Sequence, residues 1–189
     1  MDNAKKIPNG DRKYTYTDYL TWDDEVRCEL HDGEIVVMTS PTVRHQAILG
    51  ALYLDIGNYL VGKKCKVYLS PLDVRLNFNT KDNQVFQPDI LVLCDKNKID
   101  DRAVLGAPDL VIEILSPSTA SYDSIYKLQE YLKAGVLEYW IVDPVRNRVN
   151  VSILDGVKYI TSTYTETDTI ESSIIEGLKV NLTEIFKTE

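Results

Sequence analysis

The stretch DLVIEILSPSTASYDSIYKLQEYLKAGVLEYWIVDP, residues 109–144, decides the fold. It opens with an apolar run interrupted by one carboxylate, Glu113, and closes with the mostly apolar VLEYWIVDP. Between them, residues 121–134 carry apolar side chains at helical spacing and stop at Gly135, a residue suited to the left-handed position after a helix. A helix between two apolar strands reads as a crossover unit inside a mixed sheet. The expected fold is α/β, one domain with a mixed central sheet flanked by helices. Glu113 is the anomaly in that reading, because a carboxylate inside a buried strand needs a partner, a proton or a metal.

The flanking sequence supplies the rest of the sheet. VFQPDILVLC contains a strand entered through Pro88, where the missing donor of proline matters least. DVRLNF (73–78) alternates polar and apolar residues, as a half-buried strand does, and CKVYL (65–69) is a further short strand. A helix is expected from residues 41–42 to about 60, with His45, Ile48, Leu52, Ile56 and Tyr59 on one face. Asp32-Gly33 and Asp155-Gly156 sit between β-rich runs and predict two hairpins. Residues 16–24 suggest a short helix capped by Thr17, and 182–186 a terminal helical turn. Residues 1–15 are expected to form a flexible arm, and 16–189 the single domain.

A chain of 189 residues is long enough for a sizeable core, burying roughly 70% of its unfolded surface. The net charge of −8 argues against coating nucleic acid by bulk attraction, but leaves room for a local acidic metal site. Cys28, Cys65 and Cys94 are odd in number and lack CxxC spacing, so buried thiols are expected rather than disulfides or zinc ligands. No apolar run reaches membrane-spanning length and the N-terminus lacks signal-peptide character, so a cytoplasmic location is expected.

Chemistry concentrates at three places: Pro88-Asp89 at a strand start, Glu113, and Lys127 on the following helix. If their strands are neighbours, Asp89 and Glu113 meet at one end of the sheet, where two carboxylates need a proton or cation between them. Oxygen ligands of this kind suit Mg²⁺ or Mn²⁺. Lys127 falls on the flank of the helix's buried face, from which its ammonium reaches a cleft edge; a solvated lysine, or a surface pair with Asp123, is the plain alternative. Asp109, after Pro108, lies four residues from Glu113 on one strand, about 13 Å away and too far to share a metal. Two carboxylates on neighbouring strands with a nearby lysine form the kernel of a metal-dependent phosphodiesterase.

The segments ELHDGEIVVMTSPTVRHQAIL, SPLDVRL, QPDILVL, GAPDLVIEILSPST and KLQEYLKAGVLEYWIVDP together resemble the bacterial "putative restriction endonucleases" of the PD-(D/E)XK nuclease superfamily. The resemblance runs from about Tyr19 to Phe186. It implies that Asp89 and Glu113 bind the metal and that the carbonyl of Ile114 is a further ligand. Leu115 stands where the motif has lysine; in other members that lysine moves to the following helix, which here points to Lys127. The acid often found on the first core helix is missing near the start of that helix, and Glu34 and His45 are the available substitutes. The resemblance implies a Mg²⁺-dependent (or Mn²⁺-dependent) endonuclease acting on DNA, with a homodimer by analogy. The missing motif lysine and the acidic charge suit the alternative, a nuclease-fold protein that no longer cuts and serves in binding or regulation.

Overall fold

The computed structural model describes residues 12–22, 27–116 and 122–187, with 122–124 described by backbone alone. Helix α1 (Tyr16–Tyr19) leads to a hairpin of β1 (Cys28–His31) and β2 (Glu34–Val37), then to the long α2 (Val43–Leu60). Six strands follow: β3 (Lys66–Leu69), β4 (Asp73–Arg75), β5 (Val85–Phe86), β6 (Ile90–Leu93), β7 (Ala103–Leu105) and β8 (Leu110–Ile114). Helix α3 (Tyr122–Ala134) then connects β8 to β9 (Glu138–Asp143). The chain ends with β10 (Arg148–Asp155), β11 (Lys158–Thr165), β12 (Thr169–Glu171), β13 (Lys179–Asn181) and α4 (Leu182–Phe186).

The α/β reading holds, and 109–144 is the crossover it was expected to be: β8 and β9 are parallel neighbours joined through α3. The large sheet runs β11-β10-β9-β8-β6-β3, with β6 antiparallel to β8, so it is mixed. A second sheet, β2-β1-β5-β4-β7, packs on one face of it together with α3.

Both faces of the large sheet are covered, which is why its central strands read as unbroken apolar runs. Ile90, Val92, Leu110 and Ile112 turn toward α2 and meet Ile48, Leu52 and Ile56. Their alternates, Leu91, Leu93 and Val111, turn the other way to Phe86, Val104 and Tyr131. Glu113 belongs by alternation to this second side. Glu138, wholly buried at the start of β9, accepts hydrogen bonds from Trp140 Nε1 (2.7 Å), Ser172 Oγ (2.9 Å) and the Ser173 N–H (2.9 Å). It thereby latches the 172–175 turn onto the sheet.

Several expectations need correction. Thr15, not Thr17, caps α1, and it forms a reciprocal capping box with Asp18. DVRLNF stops being a strand at Arg75, because the Asn77 side chain accepts the N–H groups of Asn83 and Gln84 and turns the chain. Cys65 and Cys94 are not free thiols; they form a disulfide. The β3–β6 register, which sets Lys66 opposite Leu93, carries on by one residue to place the two cysteines opposite each other. Cys28 is a buried free thiol, as expected. Of the arm anticipated over 1–15, residues 1–11 lie outside the described ones, while Tyr14 is buried and its N–H bonds to the Gly33 carbonyl at 2.9 Å. Among the described residues no helix is long and apolar enough to cross a membrane.

Gly33 makes the β1–β2 turn possible. Its φ is +78°, and a Cβ there would lie 2.9 Å from the Tyr14 carbonyl oxygen. Gly33→Ala is expected to cost about 1–2 kcal/mol from the left-handed backbone alone, with the clash in addition, read as a lower urea midpoint at unchanged slope.

Candidate active site

The β6–β8 register pairs Ile90 with Ile112, and one more residue sets Asp89 opposite Glu113. Directly opposite residues share a face, so the two carboxylates stand side by side at one end of the sheet. Asp89 is held on its Oδ2 by the Ile114 N–H (2.8 Å) and by His45 Nε2 (3.1 Å). His45 reaches it from the first turn of α2, where Thr42 caps the helix. Burial disfavours a charged His45, but the hydrogen bond and charge of Asp89 outweigh it and raise the imidazole pKa. The other ring nitrogen, Nδ1, is buried without a partner among the described residues.

Glu113 is held on its Oε1 by Lys127 Nζ (3.0 Å) and Tyr131 Oη (2.9 Å). Lys127 does not sit on the flank of α3. It is only 9% exposed and, with Tyr131 one turn later, forms the most buried line among the described side chains of the helix. The reason is charge: Lys127 Nζ also lies 2.9 Å from Glu29 Oε1, so two buried carboxylates receive it. Burial works against the ammonium, but Glu113 and Glu29 together raise its pKa above the ordinary lysine value.

Glu29 is the residue the sequence reading missed. It is 2% exposed on β1; its Oε1 also takes the Gln87 N–H at 2.8 Å, and its Oε2 pairs with His31 Nε2 at 2.8 Å. Burial opposes its charge, yet Lys127 and His31 hold its carboxyl down at about 2. Glu113 behaves oppositely. Burial, reinforced by Asp89 and Glu29, pushes its carboxyl up to about 7 despite Lys127. Glu34 is not brought to this cluster. It stands opposite His31 at the turn end of the hairpin, exposed and paired with Lys13 Nζ at 2.8 Å. Glu29 lies two residues from His31 along β1, about 7 Å from the turn end of the hairpin that carries Glu34. The one signal that favoured it was its place two residues before His31 on the same strand face.

Asp89, Glu113, Ile114, Lys127, Glu29 and His45 line one cleft of about 120 Å³. Leu115, at the motif-lysine position, lines it too. Gln87 and Asp73 brace it from behind: Gln87 accepts from Arg27 and donates to Tyr19 and Asp73.

The donor set fits a hard divalent cation. Among the described residues, Asp89 Oδ1 and Glu113 Oε2 take part in no hydrogen bond, so each carboxylate keeps one oxygen for a cation. An extended residue points its N–H and C=O to the same edge, so the Ile114 carbonyl faces the side where its N–H meets Asp89. No cage of three or more His, Cys, Asp or Glu forms among the described residues. Two carboxylates and a carbonyl are enough for Mg²⁺, which keeps several waters.

Comparisons with known proteins bear on the family and the fold. The sequence model of the Uma2 family, described as "Putative restriction endonuclease", matches residues 16–183. The "Uncharacterized protein slr1290" of Synechocystis sp. is 30% identical over 132 residues, covering 69% of this chain and 68% of that protein. The "Uncharacterized protein sll1609" of the same organism is 27% identical over 135 residues, 62% of this chain and 72% of that one. Among solved structures, "a putative nuclease belonging to DUF820" from Anabaena variabilis superposes with a TM-score of 0.75 at 21% identity, over 91% of this chain and 97% of that chain. At that identity the likeness speaks to the fold alone.

Proposed function

Because the chain belongs to the Uma2 family of restriction-endonuclease-like proteins, we propose that it is a metal-dependent endonuclease that hydrolyses phosphodiester bonds in DNA. One observation carries this reading: Asp89 and Glu113 stand opposite each other across β6 and β8, with the Lys127 ammonium 3.0 Å from Glu113. Asp89, Glu113 and the Ile114 carbonyl would hold Mg²⁺ or Mn²⁺. A cation bound there would lower the pKa of a water and offset charge on the attacked phosphate.

The chain's own groups do the rest. His45 and the Ile114 N–H fix Asp89 through Oδ2, which leaves Oδ1 available to a cation. Tyr131 fixes Glu113 in the same way, leaving Oε2. Lys127 brings a permanent positive charge with hydrogen-bond donors to the cleft, where it orients the attacking water and stabilises the extra charge on phosphate.

The test is plasmid DNA incubated with purified protein and Mg²⁺ or Mn²⁺. Wild type is expected to nick or linearise it, with Asp89→Asn slower by about 100-fold or more. Cleavage that persists undiminished in Asp89→Asn and Lys127→Met would be contamination and would remove the nuclease reading. Metal-dependent DNA retention without cleavage would favour a binding role instead.

A further inference from the structure

Glu29 and Glu113 receive the same ammonium but differ in what they have left over. Both oxygens of Glu29 are taken, Oε1 by Lys127 and the Gln87 N–H, Oε2 by His31. Glu113 has only Oε1 engaged among the described residues. Glu29 therefore has no oxygen to offer a cation, while Glu113 does. Lys127 meanwhile neutralises Glu113 from 3.0 Å. A divalent cation on Glu113 and an ammonium at that distance repel each other, so the two compete for one carboxylate.

We propose that Glu29 is a positioning residue: it keeps hold of the Lys127 ammonium when a divalent cation takes Glu113, so that the lysine stays in the cleft instead of competing for the metal-binding carboxylate. The inference rests on the metal site proposed above. Lys127 is the site's resident counter-charge, and Glu29 is the anchor that lets it yield Glu113 without leaving. His31 and the Gln87 N–H hold Glu29 for that duty.

The two partners then have opposite effects on cation affinity, which distinguishes this role from simple structural support. Mn²⁺ binding is titrated calorimetrically into the full chain, with folding of each variant checked by thermal melting. Glu29→Gln removes the anchor's charge but keeps its shape, leaving Lys127 to Glu113 alone; Mn²⁺ is expected to bind about 10-fold more weakly. Glu29→Asp keeps the charge and is expected to bind closer to wild type than Glu29→Gln does. Lys127→Met removes the competitor, and Mn²⁺ is expected to bind more tightly than to wild type. A fold merely loosened by substitution would weaken binding in every variant.

Glu29→Gln and wild type binding alike would overturn the positioning role while leaving the metal site intact. So would equal loss in Glu29→Asp and Glu29→Gln, or weaker binding in Lys127→Met. Absence of Mn²⁺ binding by wild type would overturn this inference and the metal-dependent reading together. Should Lys127→Met fail to fold, the two Glu29 variants still decide the matter.

Discussion

Lys127→Met is expected to lower the unfolding free energy by about 3–5 kcal/mol, the scale for removing one member of a buried ion pair. The lysine is the cation between two carboxylates that are themselves almost out of water, with side chains 3% exposed for Glu29 and 14% for Glu113. Methionine keeps the length and packing of the stem but leaves both acids with less compensation. The loss comes from the stranded acids rather than from the lysine's own contacts. Glu113→Gln in the same chain is therefore expected to restore part of it, a non-additivity that urea unfolding of the single and double variants reads directly. Full additivity would mean that Lys127 and Glu113 are not coupled. Cleavage of plasmid DNA is expected to be lost in Lys127→Met even when the protein is assayed well below its melting temperature.

Glu138→Ala is expected to destabilise by about 2–4 kcal/mol with no direct effect on the cleft. Its carboxylate is wholly buried and satisfies Trp140 Nε1, Ser172 Oγ and the Ser173 N–H at once. Removing it leaves buried donors unpaired, at about 1–3 kcal/mol for a neutral group, and opens a void beside Trp140. Water entering that void would moderate the loss. The check is a urea midpoint shift alongside Mn²⁺ affinity. A stability loss with unchanged Mn²⁺ affinity separates this latch from the cleft acids, and a midpoint equal to wild type would show that the latch contributes nothing.

Glu113, Asp89 and Lys127 were legible because each breaks a local pattern: a charge in an apolar strand, a Pro-Asp strand entrance, a lysine on a helix between two strands. The crossover over 109–144 was legible because both periods, that of the strand and that of the helix, run long enough to be read. Glu29 was hidden for the converse reason. Cys28, Glu29, Leu30 and His31 alternate apolar and polar like any hairpin with one face in water. That face is instead covered by α3, whose Lys127 is 98 residues away in sequence. The lysine's centrality was missed for the same cause, since helical periodicity ranks a lysine as polar and knows nothing of acids waiting opposite. Strands β5, β7, β12 and β13 have two or three residues each, too few to display a period. The Cys65–Cys94 bond depends on strand register, which spacing of 29 residues does not reveal.

Strand β5 of the small sheet ends at Phe86 and β6 of the large sheet begins at Ile90. Gln87, Pro88 and Asp89 span the gap, and each is committed: Gln87 to Glu29, Arg27, Tyr19 and Asp73, Pro88 by its ring to a narrow φ, Asp89 to His45 and Ile114. This tripeptide works as a rigid coupling rod between two sheets. A shift of one sheet against the other is expected to reach the carboxylate at the rod's far end. Side chains that set the spacing between the sheets, such as Phe86 against Val111, thus tune the gap between Asp89 and Glu113 without touching either acid.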